Sequence, residues 1–254
     1  MTDNAGPAGV MRDYTYEILF RLEETHWWLA SRRLIVLDWV RRRYPERRDL
    51  NILDVGCGTG LMMRDMADMG TVDGVDIADE AVEYCRQRGV EHVTQASVVE
   101  LPFPNQHFDV ITGVDILEHI EDDVAALREW RRVLKPGGRL FLFVPAHQWL
   151  WSLQDEISGH QRRYTARGLR QVVAEAGLTV ERQSYVSTYL LPMIVVGRLW
   201  LKVMRRFREY DTENTLHPAW SNGILGAIFR AEIPMLRRFN MPVGASILCV
   251  ATSA

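Results

Sequence analysis

The chain has 254 residues, 47% of them hydrophobic and 25% charged, and its formal net charge is −3 at pH 7. This length and composition fit one large globular α/β domain, or one domain with an insertion. The slightly acidic balance excludes the overall basic field typical of nucleic-acid-binding proteins, and we expect no nucleic acid partner.

The N-terminal region is predicted to be a helix after a disordered start. Residues 1–10 are polar and lack the apolar core of a signal peptide, which indicates a cytoplasmic protein. Residues 11–44 are predicted to be helical up to a basic run at 41–43. The helix is expected to end there because Pro45 disfavours a helical conformation in the residue before it.

From residue 51 onward, short apolar runs alternate with amphipathic stretches. This alternation predicts a parallel, doubly wound α/β sheet. A helix is also predicted from the N-cap Thr165 through Ala176, closed by Gly177. The predicted strands are Asn51–Val55, Val72–Ile77, His92–Ala96, Phe108–Val114, Arg139–Val144, Thr179–Ser187 and Ser246–Ala251, and the helices between them are Leu61–Met69, Asp79–Arg88 and Asp122–Leu134.

Two apolar but interrupted stretches, Tyr189–Met204 and Ile224–Phe239, precede the last strand. Neither offers the continuous apolar run of a membrane span, so both are predicted to be amphipathic helices. One interpretation is a lid packed on the core. The other is a peripheral contact with the inner face of a membrane, since apolar and basic residues alternate. These residues are Leu190, Ile194, Leu201, Arg198, Lys202, Arg205 and Arg206.

A glycine-rich loop, Gly56-Cys57-Gly58-Thr59-Gly60, follows the first strand and opens a helix. Glycines let a backbone turn tightly and approach a ligand closely. Asp76 ends the next strand, where a carboxylate can accept hydrogen bonds from both ribose hydroxyls. Asp54 precedes the glycines and would repel a pyrophosphate. It would suit a ligand that carries an ammonium group, which favours an amino-acid nucleoside over a dinucleotide.

Residues 50–144 resemble the class I S-adenosylmethionine-dependent methyltransferases through ILDVGCGTG, VDGVDI, LPFPNQHFDVI and LKPGG. The resemblance implies a Rossmann-like sheet of order 3-2-1-4-5-7-6 with an antiparallel last strand. It divides the chain into a helical cap (1–48), a core (49–188 and 241–254) and a helical lid insertion (189–240). The predicted cofactor contacts are Asp54, Gly56, Cys57, Gly58, Gly60, Asp76, Ile77, Ser97, Val98, Asp115, Trp28 and Arg32.

Two of these contacts depend on details of the resemblance. The family commonly has an acidic residue at the end of strand three, where this chain has Ser97, so backbone groups at Val98 are expected to contribute to adenine recognition. N-terminal helices often cover the cofactor in this family. We therefore expect Trp27 or Trp28 to cap the pocket and Arg32 or Arg33 to meet an anion, with packing in the core as the alternative.

The fourth strand is followed by Asp115-x-x-Glu118-His119, where the acceptor of a methyl group should lie. The motif is similar to the acidic-x-x-Glu-His motif that binds magnesium in ubiquinone-pathway O-methyltransferases and small-RNA 2′-O-methyltransferases. One hypothesis is a Mg²⁺ site of Asp115, Glu118 and His119, completed by His160 or His147. The second is a metal-free site in which Glu118, His119 and His160 are catalytic and His119 is the general base. Structural roles are the third.

A second polar cluster follows the fifth strand. Two arginines near a histidine suit an anionic group on the acceptor, and we predict acceptor contacts from His147, Arg162, Arg163 and Tyr164. The alternative is that these arginines pair with Asp155 or Glu156. Together, HWW-x-x-x-RR and GH-x-RRY resemble a bacterial group of uncharacterised methyltransferases.

The expected activity is S-adenosylmethionine-dependent transfer of a methyl group to a hydroxyl oxygen of a small-molecule, sugar or lipid-linked acceptor. The alternatives are N- or C-methylation and a non-catalytic protein that binds S-adenosylmethionine. The three dispersed cysteines, Cys57, Cys85 and Cys249, indicate reduced thiols. The sequence leaves the oligomeric state open.

Overall fold

The structure is a computed structural model that describes residues 13–204 and 219–253; the expectations for residues 1–10, Arg205 and Arg206 fall outside this part of the chain. Its strands are β1 (Leu50–Val55), β2 (Gly70–Asp76), β3 (Val93–Gln95), β4 (Phe108–Val114), β5 (Leu134–Pro145), β6 (Leu178–Val186) and β7 (Ser246–Ser253). They form one seven-stranded sheet of order β3-β2-β1-β4-β5-β7-β6. Strand β7 is antiparallel to both of its neighbours, and the predicted topology is confirmed.

Apolar residues on both faces of the central strands explain why the sheet is covered on both sides. In β1, Leu53 and Val55 belong to one hydrophobic core, whereas Leu50 and Ile52 belong to the other. Side chains alternate across a strand, so each face of β1 needs its own layer of helices. This sandwich leaves the carboxyl ends of the parallel strands open as the edge where a ligand can bind.

Ten α-helices surround the sheet in the described part of the chain. The predicted N-cap Thr165 is confirmed, since its hydroxyl accepts from the Gly168 N–H at 3.0 Å, and Asp122 caps α5 by accepting from the Ala125 N–H at 2.8 Å. The helices are α1 (Asp13–Leu22), α2 (Trp27–Arg43), α3 (Leu61–Met66), α4 (Asp79–Gln87), α5 (Asp123–Val133), α6 (Leu153–Ile157), α7 (Ala166–Glu175), α8 (Leu191–Met204), α9 (Ala219–Arg230) and α10 (Ile233–Arg238).

The prediction of one continuous helix over 11–44 is wrong, because α1 and α2 are separated by a break at residues 23–26. The Asn222 side chain of α9 sits at this break. Its amide oxygen accepts from the Trp27 N–H at 2.7 Å, and its amide nitrogen donates to the Thr25 carbonyl. Asn222 is 195 positions away from Trp27. A cap supplied from so far along the chain leaves no local signal at the break.

Strand β5 begins at Leu134 rather than at the predicted Arg139, because Leu134 already pairs with Phe108 before a bulge in the β4–β5 ladder. The short helix α6 was also missed, since five residues are too few for a helical period to show. Its first turn is fixed by the buried Asp155 carboxylate, which accepts from the Ser152 N–H at 2.8 Å.

The insertion and the N-terminal cap pack on each other. Phe229 of α9 and Leu236 of α10 belong to the same core as Ile35 and Val36 of α2, and the Arg237 guanidinium pairs with the Asp38 carboxylate at 2.5 Å. None of the described helices combines the length and apolarity needed to cross a membrane. Helices α9 and α10 of the insertion are therefore joined to α2 of the N-terminal cap by a shared core and an ion pair.

Candidate functional site

A cavity of about 880 Å³ lies at the carboxyl ends of the parallel strands. Its floor is formed where the chain leaves β1, β2, β3, β4 and β5, and its walls come from α1, α2 and α8. This is the crevice in which open α/β sheets bind their ligands. Among its lining residues are Tyr16, Trp28, Arg32, Asp54, Gly56, Gly58, Asp76, Ser97, Asp115, His119, His160, Arg163 and Ile194.

The glycine loop lines one end of this cavity in a conformation that favours glycine. Gly56 and Gly58 have φ angles of +68° and +55°. A Cβ atom on Gly56 would also lie 2.7 Å from the Ile116 side chain. The Gly58 N–H donates to Asp76 Oδ2 at 2.9 Å. The loop is thus held directly against the carboxylate predicted to bind ribose.

Asp76 is buried at the end of β2 and faces the cavity. Its Oδ1 accepts from the Tyr16 hydroxyl at 3.2 Å and from the Ala78 N–H at 3.1 Å. Burial raises the pKa of Asp76, and these hydrogen bonds oppose the increase. Tyr16 belongs to α1, so the N-terminal cap covers the end of the cavity at Asp76. No local pattern predicts Tyr16 at this site, because its contact with Asp76 spans 60 positions.

Asp54 lies beside the loop with 3% of its surface exposed and accepts from the Thr112 hydroxyl at 2.6 Å. The two residues are paired across the β1–β4 ladder. Burial raises the pKa of Asp54 to about 7. A carboxylate in this setting gains the most from a cationic partner, as predicted for the ammonium group of the methionine moiety.

We expect the affinity for S-adenosylmethionine to rise with pH up to about pH 7, by as much as about tenfold per pH unit. The sign follows from the raised pKa of Asp54: the free carboxyl must lose a proton before it can pair with the ammonium group, so binding releases a proton. Titration calorimetry between about pH 5.5 and 8 measures this slope. In the Asp54→Asn variant the slope should be much smaller, and an unchanged slope would assign the titration to another group.

Most of the other predicted cofactor residues also line the cavity: Cys57, Ile77, Ser97, Val98, Asp115, Trp28 and Arg32. Gly60 is not in the described lining and instead begins α3 with a φ of +78°. The Val98 carbonyl accepts from the Trp130 indole N–H at 2.7 Å, so it is already engaged. These placements leave the individual cofactor contacts as predictions.

Arg32 of α2 reaches across the cavity and forms an ion pair with Asp115 after β4. Burial lowers the pKa of Arg32 to about 10, which still leaves it charged. Asp115 adopts a left-handed backbone conformation with φ of +51°. The anion that meets Arg32 in this structure is thus a carboxylate of the chain itself.

Glu118, His119 and His160 lie together beyond this ion pair, with one potential ligand atom of each within 4.8 Å of the others. Glu118 has no exposed surface, and among the described residues its two carboxylate oxygens have no hydrogen-bond partner. Burial raises the pKa of Glu118 to about 8 and lowers the pKa of His119 to about 3. His119 is therefore neutral and a weak base.

His160 is oriented by a buried carboxylate. Its Nδ1 lies 2.8 Å from Asp155 Oδ1, and the Arg163 guanidinium binds both oxygens of Asp155 at 2.7 and 2.9 Å. Burial acts to raise the pKa of Asp155, but the hydrogen bonds from His160 and Arg163 outweigh it and hold this pKa well below its usual range. An ionised carboxylate only accepts, so Nδ1 carries the proton. The Nε2 atom of His160 is left as a proton acceptor, 3.8 Å from Glu118 Oε1.

The four predicted acceptor contacts do not come together. Arg163 lines the cavity, whereas His147, Arg162 and Tyr164 are not in the described lining. Tyr164 pairs with Ala146 in a β-bridge, and neighbouring side chains of an extended segment point in opposite directions.

The three side chains outside the lining have partners elsewhere. Arg162 and the Tyr164 hydroxyl contact the Asp123 carboxylate at 3.0 and 2.8 Å, and the His147 ring stacks on Tyr185 with 5.0 Å between centroids. The spacing of GH-x-RRY indicated that these side chains form one cluster at the acceptor. The extended backbone instead directs neighbouring side chains to opposite sides, so only some of them line the cavity.

The predicted magnesium ligands come together only in part. Asp115 is paired with Arg32, and the ligand cluster in the described residues is Glu118, His119 and His160. Magnesium prefers an octahedral set of oxygen ligands. One carboxylate with two imidazoles is therefore a poor fit to Mg²⁺.

Comparison with known proteins supports the assignment made from the loop. A family model described as "Methyltransferase domain" matches residues 53–142. The ubiquinone biosynthesis O-methyltransferase of Xanthomonas oryzae pv. oryzae is 36% identical over 156 residues, 56% of this chain and 65% of that protein. The 27-O-demethylrifamycin SV methyltransferase of Amycolatopsis mediterranei is 32% identical over 218 residues, 77% of this chain and 74% of that protein.

The fold also has a counterpart among solved structures. The methyltransferase solved in complex with the Trm112 methyltransferase activator of Haloferax volcanii aligns over 95% of both chains with a TM-score of 0.62, at 17% identity. An identity this low establishes a shared fold and nothing about the reaction.

Proposed function

Because this chain belongs to the class I S-adenosylmethionine-dependent methyltransferases, we propose that it transfers a methyl group to a hydroxyl oxygen of a small-molecule, sugar or lipid-linked acceptor. The observation that carries the choice of a hydroxyl is His160, which Asp155 orients in the cavity shared with the glycine loop and Asp76. The names of both curated relatives, which refer to O-methylation, support the same choice.

The residues at the donor end of the cavity, beside the glycine loop, bind and orient S-adenosylmethionine. The glycine loop and Asp76 fit the nucleoside, and Asp54 fits the ammonium group. The bound cofactor supplies an activated methyl group, so the protein has only to align the acceptor oxygen and remove its proton.

The residues of the acceptor end handle the proton. Nε2 of His160 accepts it from the acceptor hydroxyl as the oxygen attacks, and the ionised Asp155 stabilises the imidazolium that forms. His119 contributes its neutral ring to the wall beside His160, with 4.7 Å between the ring centroids.

The purified chain should be incubated with methyl-labelled S-adenosylmethionine and a panel of hydroxyl, amine and carbon acceptors. We expect labelled O-methyl products, together with S-adenosylhomocysteine. An N- or C-methyl product would assign the reaction to those alternatives. Tight cofactor binding without turnover on any acceptor would make the chain a non-catalytic binding protein.

We expect turnover to persist within about twofold in excess chelator, because Arg32 already neutralises Asp115 and His160 needs no metal to accept a proton. The measurement is the initial rate after dialysis against the chelator, with and without added Mg²⁺. Loss of activity that Mg²⁺ restores would instead support the magnesium site of Asp115, Glu118 and His119 and overturn the metal-free proposal.

A further inference from the structure

Helix α8 exposes large apolar side chains on its outer side. Val196, Leu199 and Trp200 are 67%, 60% and 64% exposed. Elsewhere in the described residues, exposed large apolar side chains occur singly or four residues apart, as Trp220, Ile224 and Ile228 do on α9. Three exposed apolar side chains within five residues of one helix form a local hydrophobic patch, which is unfavourable in contact with water.

The opposite side of the same helix faces the cavity. Ile194, Gly197, Arg198 and Leu201, spaced by three and four residues, all line it. Helix α8 is therefore apolar on both its sides. A helix that is apolar all round is ordinarily buried. The fourteen described residues of α8 extend only about 21 Å, too short to cross the hydrocarbon core, so this part of the helix fits the surface of a bilayer and not its interior.

The charge of residues 191–208 indicates the kind of surface that α8 would contact. Residues 191–208 contain five basic residues and no acidic residue, although the whole chain has a net charge of −3. They are Arg198, which lines the cavity, and Lys202, Arg205, Arg206 and Arg208, the last three of which follow the described part of the helix in sequence. Such a local excess of positive charge complements anionic lipid headgroups. A second copy of the chain would bring an equal positive charge against it, which disfavours a dimer through this face.

We propose that the outer side of α8, defined by Val196, Leu199 and Trp200, docks on an anionic lipid bilayer and that the methyl acceptor is a lipid. Such an acceptor enters the cavity along the inner side of α8, where Ile194 and Leu201 contact its apolar part. The identity of the acceptor as a lipid rests on the proposed function; the docking itself does not.

The docking is tested by co-sedimentation of the full chain with vesicles of phosphatidylcholine, alone or mixed with phosphatidylglycerol. We expect binding to the mixed vesicles only, and weaker binding as salt is raised. Trp200→Ser should lower the affinity about tenfold, the value of one large apolar side chain at an interface. The matched control is Trp149→Ser, because Trp149 is 63% exposed but lies outside α8; its affinity should stay unchanged.

Several results would overturn the docking. One is an equal loss of vesicle affinity in both tryptophan variants. Another is a wild-type chain that does not bind anionic vesicles. A concentration-dependent dimer in light scattering that Trp200→Ser abolishes would replace the bilayer with a second copy of the chain. Circular dichroism and thermal unfolding of both variants check that neither change affects the fold.

The lipid acceptor is tested separately, with vesicles made from a total bacterial lipid extract and methyl-labelled S-adenosylmethionine. We expect label in the lipid fraction, reduced in Trp200→Ser and retained in Trp149→Ser. Label on soluble hydroxyl compounds but none on lipid would overturn the lipid acceptor while leaving methyl transfer intact. No label on any acceptor, with vesicle binding preserved, would contradict the proposed function and leave the docking surface standing.

Discussion

Replacement of Asp76 by alanine is expected to lower the affinity for S-adenosylmethionine by about a hundredfold or more. A hydrogen bond to a charged group contributes about 1.5–3 kcal/mol, and each 1.4 kcal/mol is tenfold in affinity. Two ribose hydroxyls would lose their acceptor together. The Gly58 N–H would lose its partner as well, so the loop would also be less well positioned.

Titration calorimetry on the folded variant measures this loss. Asp73→Ala is the matched control, because Asp73 lies on the same strand but not in the described lining of the cavity; its cofactor affinity should equal that of the wild type. Asp76→Asn keeps the shape and removes the charge, and should give an intermediate affinity. If Asp76→Ala binds as well as the wild type, the nucleoside lies elsewhere.

The second large effect is expected at the acceptor end. His160→Ala should lower kcat by about 10²–10⁴, the usual contribution of general base catalysis, while the cofactor affinity changes only a few-fold. The reason is that His160 lines the cavity and that Asp155 fixes its orientation. Its Nε2 atom, which would accept the proton, lies 3.8 Å from Glu118 Oε1, beyond hydrogen-bond distance.

Rates at saturating cofactor, measured across pH, distinguish catalysis from structure. In Asp155→Asn the histidine loses its ionised partner, so the acidic limb of the profile, on which a general base must lose its proton, should move to lower pH. The value of kcat should fall without loss of cofactor binding. His92→Ala is the matched control, since His92 is exposed and is not in the described lining of the cavity. A His160→Ala variant with a wild-type rate would transfer the role of base to another group.

The donor end was predictable from sequence because its signals are local. The strand, the three glycines and the carboxylate after the next strand occur within 25 or so residues, and each follows from backbone conformation or sheet polarity. The caps at Asp122 and Thr165 were predictable for the same reason: the donor and acceptor of the hydrogen bond are three residues apart.

The acceptor end was less predictable because its geometry depends on contacts between distant residues. The pair of Arg32 and Asp115 joins the cap to β4, and no local pattern shows that this arginine would engage this carboxylate. The spacing of Asp115, Glu118 and His119 suggested one metal site, but Asp115 pairs with Arg32, and the cluster of possible ligands in the described residues is Glu118, His119 and His160. His160 was included among the candidate catalytic residues, whereas the orienting role of Asp155 needed the fold.

The side chain of Asn222 has a consequence for how the two substrates influence each other. It sits at the joint between α1, which carries Tyr16 to the donor end, and α2, which carries Arg32 to the acceptor end. A displacement of α9 would therefore alter the angle at which both helices meet the cavity. Binding energies linked through a shared joint are reciprocal: whatever factor the acceptor applies to cofactor affinity, the cofactor applies to acceptor affinity. Release of S-adenosylhomocysteine would then depend in part on whether the acceptor end of the cavity is occupied.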